Sequence, residues 1–222
     1  MEFTVKDVQK DLEAKKKLLE IGAHSVPVVV KGKQFAHGLD MKKVSDLVGV
    51  DTSRDDQLMP RQLFQKIEII QEAAVRYIEQ LPKDSLSEKI GTRTGRDFIY
   101  HIFKISDIFL STYDGEIYSY DLHYATPPHW MQEKVHLIDY GNEIIIQMQD
   151  WWEKNQHISF NQTRDTYYGE TTLHELLERT TWHTTQHVRQ LMDILDKKGI
   201  QPNIPLTEED LNGLPIPKAI WD

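Results

Sequence analysis

Four long stretches after Pro60 carry apolar residues at intervals of three and four, and this feature constrains the fold more than any other. Such spacing paints a stripe along one face of an α-helix, and a stripe must be buried against another element. The stretches run over 60–81, 96–113, 131–155 and 171–198. At about five to eight turns each, they suffice for a mainly α fold built as a four-helix bundle. Leu81-Pro82 ends the first, because proline cannot continue a helix and disfavours helical backbone before it. The fourth follows Gly169, takes Thr171 as its expected cap, and stops at Gly199 after two lysines that suit the helix dipole. The segment 114–130, with Gly115, Pro127 and Pro128, is expected to cross the end of the bundle. No strand is expected after Pro60.

The first fifty residues have a different texture. Phe3 and Val5 form a short apolar start, 7–21 is helix-like, and Val26-Pro27-Val28-Val29-Val30 runs into Lys31-Gly32-Lys33. A β-branched run followed by a compact turn reads as a hairpin. With a short helix over 41–48, the order is strand, helix, strand, strand, helix. The expected organisation is therefore a small α+β unit over 1–50, a polar linker over 51–58, and the helical domain over 59–222.

Composition narrows the function classes. The net charge of −9 repels a phosphate backbone, so nucleic-acid binding is disfavoured. No apolar run is long enough to span a bilayer, and MEFTVKDVQKDLEAKKKLL lacks the features of a secretory signal, so a cytoplasmic protein is expected. Cysteine is absent, which excludes disulfides, thiolate ligands and cysteine nucleophiles. Any metal must then be held by nitrogen and oxygen, and the ten histidines become the residues to examine.

Two of them, His183 and His187, sit one turn apart on the apolar stripe of the fourth helix, among Leu176, Leu177, Thr180, Leu191 and Leu195. Four-residue spacing puts both imidazoles on one side, with Cβ atoms roughly 6 Å apart, a span that one ion bridges. His101 lies on the stripe Phe98, His101, Ile105, Ile108, Phe109 of the second helix. Burying an imidazole without a partner costs about 1–3 kcal/mol, and a shared divalent cation satisfies all three at once. The bland alternative is that each is a core histidine with its own local hydrogen bond. Asp97, Glu178, Gln186 and Gln190 are candidates to orient an imidazole, or else belong to a solvated face. His123 and His129 either line the mouth of the site or pack within an aromatic-rich loop. His136, His157 and His174 have no partner at ligand spacing, and His24 and His37 are expected at the surface.

The stretches Arg96-Asp97-Phe98-Ile99-Tyr100-His101-Ile102-Phe103 and Thr181-Trp182-His183-Thr184-Thr185-Gln186-His187-Val188-Arg189-Gln190 resemble the paired metal motifs of the DinB superfamily, which includes YfiT-like metal-dependent hydrolases. The resemblance covers about 58–222. It implies a DinB-like four-helix bundle, a three-histidine site for zinc or nickel with coordination positions left open, and a homodimer. Such a site acidifies a water or a thiol that reaches the ion. The N-terminal Ile21-Gly22-Ala23-His24-Ser25-Val26-Pro27-Val28-Val29-Val30 with Gly38-Leu39-Asp40 resembles the C-terminal half of a glutaredoxin or thioredoxin-like domain, in which a cis-proline after valine neighbours the thiol-binding backbone. The redox CxxC is missing, so redox activity is excluded. The fragment is then a thiol-recognition element, a dimerisation surface, or a degenerate appendage.

Two functional expectations follow. One is an enzyme: a metal-dependent transferase using a low-molecular-weight thiol, or a metal-activated hydrolase, acting on a small-molecule substrate. The other is a non-catalytic metal-binding or stress-response protein, whose structural ion would require a fourth protein ligand.

Overall fold

The computed structural model describes residues 3–8, 10–23, 26–38, 41–49, 57–217 and 219–220. His24 and the expected linker, apart from 57 and 58, lie outside the described residues. The chain divides into two compact units, Met1–Asp55 and Asp56–Asp222. Its architecture is mainly helical with small antiparallel sheets.

In the first unit, helix α1 is Leu12–Glu20, shorter than the expected 7–21. Asp11 is its N-cap and accepts from the backbone N–H of Ala14 at 2.9 Å, which fixes the start at Leu12 rather than at residue 7. Strands β1, Val28–Lys31, and β2, Gln34–His37, form an antiparallel hairpin in which Val28 faces His37 and Lys31 faces Gln34. Gly32, at φ +64°, supplies the left-handed backbone of the turn. The Val26–Pro27 peptide bond is cis. Helix α2, Met41–Val48, packs on both strands. The strand expected around Phe3 and Val5 is not formed: both side chains are exposed and pair with no strand among the described residues.

The second unit is organised by four long helices: α3, Pro60–Gln80; α4, Gly95–Tyr113; α6, Lys134–Asn155; and α7, Leu173–Lys197. The four-residue α5, Tyr120–His123, precedes α6, and α8, Glu208–Leu211, follows α7. Helix α3 packs against α6 and α7, and α4 against the same two, so the four apolar stripes enclose one core. Leu63, Ile67, Ile70 and Tyr77 from α3 meet Phe98, Ile102, Ile105 and Phe109 from α4, Leu137 and Met148 from α6, and Leu177, Val188 and Leu191 from α7, all essentially inaccessible. Gln71 crosses this core and donates to Ser106 Oγ at 3.0 Å, tying α3 to α4.

Two hairpins correct the expectation of no strands after Pro60. They are β3–β4, Lys89–Ile90 with Arg93–Thr94, and β5–β6, Thr163–Thr166 with Gly169–Thr172. Strands of two and four mostly polar residues carry no alternation to read. Each hairpin delivers the chain directly to a helix cap. Thr94 accepts from the Asp97 N–H at 3.2 Å to start α4. Thr172, one residue beyond the expected Thr171, accepts from the Glu175 N–H at 3.2 Å while Glu175 accepts from the Thr172 N–H at 2.8 Å. That reciprocal box decides the start of α7. The crossover from 114 to 130 bridges β5 in parallel, Tyr118 to Thr166, and carries α5. No helix among the described residues is long and apolar enough to cross a membrane.

Candidate metal centre

Helix α7 is buried almost all round although it carries many polar residues, so where their hydrogen bonds go decides what it can do. Thr181 donates to the Leu177 carbonyl at 2.8 Å and Thr185 to the Thr181 carbonyl at 2.7 Å, so these two threonines are satisfied along the helix. This leaves the inward face of α7 to Arg179, His183 and His187, spaced four residues apart.

His101, His183 and His187 meet there, exposed by only 1%, 5% and 5%. One ligand atom from each lies within 4.8 Å of the other two. The ring centroids of His101 stand 5.5 Å from His183 and 5.0 Å from His187, and those of His183 and His187 are 4.9 Å apart. The Nε2 atoms of His183 and His187 face each other at 3.1 Å. Two nitrogens bound to one zinc at 2.0–2.1 Å in a tetrahedron are about 3.3 Å apart, so this pair already has ligand spacing. The Nε2 of His101 is buried with no hydrogen-bond partner. A buried ring nitrogen without a partner, on a histidine grouped with two others, suits a metal ligand, and the three residues fit a divalent cation. Among the described residues, no carboxylate or further histidine joins this group.

An outer contact favours a neutral His187 ring with Nε2 turned toward His183. The Nδ1 of His187 lies 2.6 Å from Gln190 Oε1, which can only accept; Nδ1 therefore carries the proton and Nε2 the free lone pair. Burial is the first cause that holds His101 and His183 well below the usual imidazole pKa. The charge of His187 adds to both, that of Arg93 to His101, and that of Arg179 to His183. Burial likewise lowers His187 to about 4, against the opposing Gln190 hydrogen bond.

Of the other residues named as orienting candidates, Gln186 accepts instead from Arg189. Asp97 serves the first turn of α4 near Arg96, and Glu178 is buried on α7. His123 is the residue that sequence reasoning undervalued. From α5 its ring comes within 5.1 Å of His101 and 5.4 Å of His183, and its Nδ1 lies 3.2 Å from the Tyr118 hydroxyl. Burial and the charges of Arg179 and Arg93 lower its pKa to about 3. The remaining histidines stay away: His129 and His157 are exposed, and His136 Nδ1 accepts from the Glu133 N–H at the start of α6. His174 Nε2 lies 2.8 Å from the Leu58 carbonyl, and His37 is half-buried in β2 rather than at the surface.

A buried set of three histidine nitrogens, with His123 beside them, could hold one divalent ion. No protein-family model, characterised protein or solved structure matches this chain.

Proposed function

We propose that this chain is a metal-dependent enzyme of the DinB-like group, a transferase that joins a low-molecular-weight thiol to a small electrophile. The observation that carries the reading is the group of three buried histidines whose ligand atoms lie within 4.8 Å of one another. His101, His183 and His187 would hold zinc or nickel. Bound there, a divalent ion supplies a Lewis acid that acidifies a thiol or water reaching its open side. Gln190 fixes the tautomer of His187, and the surrounding core keeps bulk water from the site. In the transfer a sulfur–carbon bond forms as the carbon–leaving-group bond breaks. The leaving group departs with its electron pair, and the thiol proton passes to solvent. Thiol rather than water rests on the likeness of the N-terminal unit to half of a thiol-handling fold, an analogy at the level of fold. A homodimer belongs to the same proposal and is read by light scattering.

The absence, among the described residues, of a fourth protein ligand favours this reading over a purely structural ion. Metal analysis of the purified protein should give near-stoichiometric zinc or nickel, with a large loss in His183→Ala. Chelation should abolish turnover of a thiol with a small aryl halide, restorable by metal, while lowering the melting temperature only modestly. Global unfolding on chelation, with no turnover before it, would overturn the enzyme in favour of a structural metal.

A further inference from the structure

A buried positive charge stands next to the three histidines without a counter-ion. Arg179, one turn before His183 on α7, is only 7% exposed. Its Nη1 donates to the Tyr118 hydroxyl at 3.1 Å and its Nη2 to the Tyr167 hydroxyl at 3.2 Å, while Nε is buried with no partner. The guanidinium lies over the rings of Tyr118 and Tyr168, 5.2 and 4.9 Å from their centroids. No carboxylate stands within ion-pair distance among the described residues. Phenols do not replace one: burial pushes Tyr168 up to about 12 and Tyr167 up as well, so both are neutral at physiological pH.

Arg93, half-buried on β4 with its guanidinium 6.0 Å above the Tyr124 ring, adds a second cation on the same side. Both arginines lie close enough to depress the pKa of His101 and His123. The Tyr118 hydroxyl that receives Arg179 also touches His123, which packs against His101 and His183, so a short run of contacts joins the arginine to the histidine group. Both arginines thus place positive charge near the histidine group, in a chain whose net charge is −9. Cation–π contacts soften the burial of Arg179 but bring no negative charge.

We infer that the site takes a substrate bearing a carboxylate, which Arg179, with Arg93 assisting, binds beside the metal. A carboxylate accepts the free Nε–H together with an Nη–H in the bidentate geometry of the guanidinium fork, and it supplies the missing charge. The inference rests on the proposed metal centre and names the substrate class of that same site.

The test is isothermal titration of the zinc-loaded full chain with 3-mercaptopropionate and with 3-mercaptopropionamide, a neutral analogue of the same size. The carboxylate should bind at least about tenfold tighter, the expected worth of a buried charge-assisted hydrogen bond. Arg179→Gln should abolish that preference, and Arg179→Lys should keep part of it, with zinc content near one in both. Equal affinity of the two probes in the parent, or a preference that survives in Arg179→Gln, overturns the inference and leaves the metal centre standing. Because the parent alone discriminates the probes, misfolding of a variant does not rescue the idea. Failure of zinc to load the parent overturns the metal centre, and this inference with it.

Discussion

Spacing along a helix foretells which side chains share a face, but not which face a neighbour presents to them. His183 and His187 were legible as a pair because four residues make one turn, and His101 because it interrupts an apolar stripe. His123 was not: it arrives from a four-residue helix inside a crossover, where only tertiary folding sets the direction. Arg179 was hidden for another reason. It shares the spacing of His183, yet an arginine reads as solvated until its burial among three tyrosines is seen. The same logic singles out Gln190, whose Oε1 lies 2.6 Å from His187 Nδ1. Gln190→Leu removes the acceptor that fixes the tautomer while preserving bulk. Metal affinity should fall about 10- to 100-fold with the helical circular-dichroism signal unchanged. Competition against a chelator of known affinity measures it, and an affinity within twofold of the parent would show that the hydrogen bond is incidental.

The long helices were readable because twenty or so residues of consistent spacing outweigh local noise, whereas hairpins of two and four residues left no periodic trace. Cap positions shifted by a residue or more where a reciprocal hydrogen bond, as at Thr172 and Glu175, outcompeted the neighbouring threonine. How closely two helices approach is a further property of elements. On α6, a Cβ at Gly141 would lie 2.5 Å from Cζ of Phe103, a ring fully buried on α4. Glycine thus sets the α4–α6 separation at that level. Gly141→Ala gains about 1 kcal/mol of helix propensity but forces the ring or the helix to move, at a cost of about 1–3 kcal/mol. The net expectation is a destabilised protein. In a Phe103→Leu background the clash is gone, and the same alanine should become neutral or stabilising. Urea unfolding of the four proteins forms the double-mutant cycle. Strict additivity would mean that the ring does not hold the helices apart.

At the scale of the molecule, the change of texture near residue 50 and the two compact units, Met1–Asp55 and Asp56–Asp222, reflect chain segments that bury separate sets of side chains. Within the larger unit, the buried histidines couple stability to pH. In the metal-free protein, desolvation keeps His101 and His183 well below the usual imidazole pKa and brings His187 to about 4 and His123 to about 3. In the unfolded chain the same rings titrate near about 6.5. Their folded pKa values are depressed, so between those limits the unfolded state binds more protons than the folded one. Stability must therefore fall as pH falls. The contribution is fully present above about pH 7 and is lost progressively through the interval down to about 4. Asp11 and Asp210, whose folded pKa values are lowered by hydrogen bonds to backbone N–H groups, act in the same direction but only below the ordinary carboxylate range. Melting curves of the metal-free protein between pH 7.5 and 5 thus report on the imidazoles, with Glu68, whose carboxyl pKa burial raises, pulling the opposite way, and Glu68 is common to parent and variant. Melting temperature should drop across that interval in the parent. The decline should be shallower in His101→Phe, which removes one buried imidazole and fills its volume with a ring that does not titrate. A flat profile in the parent, or an equal slope in the variant, would mean that these histidines do not enter the folded core as neutral rings.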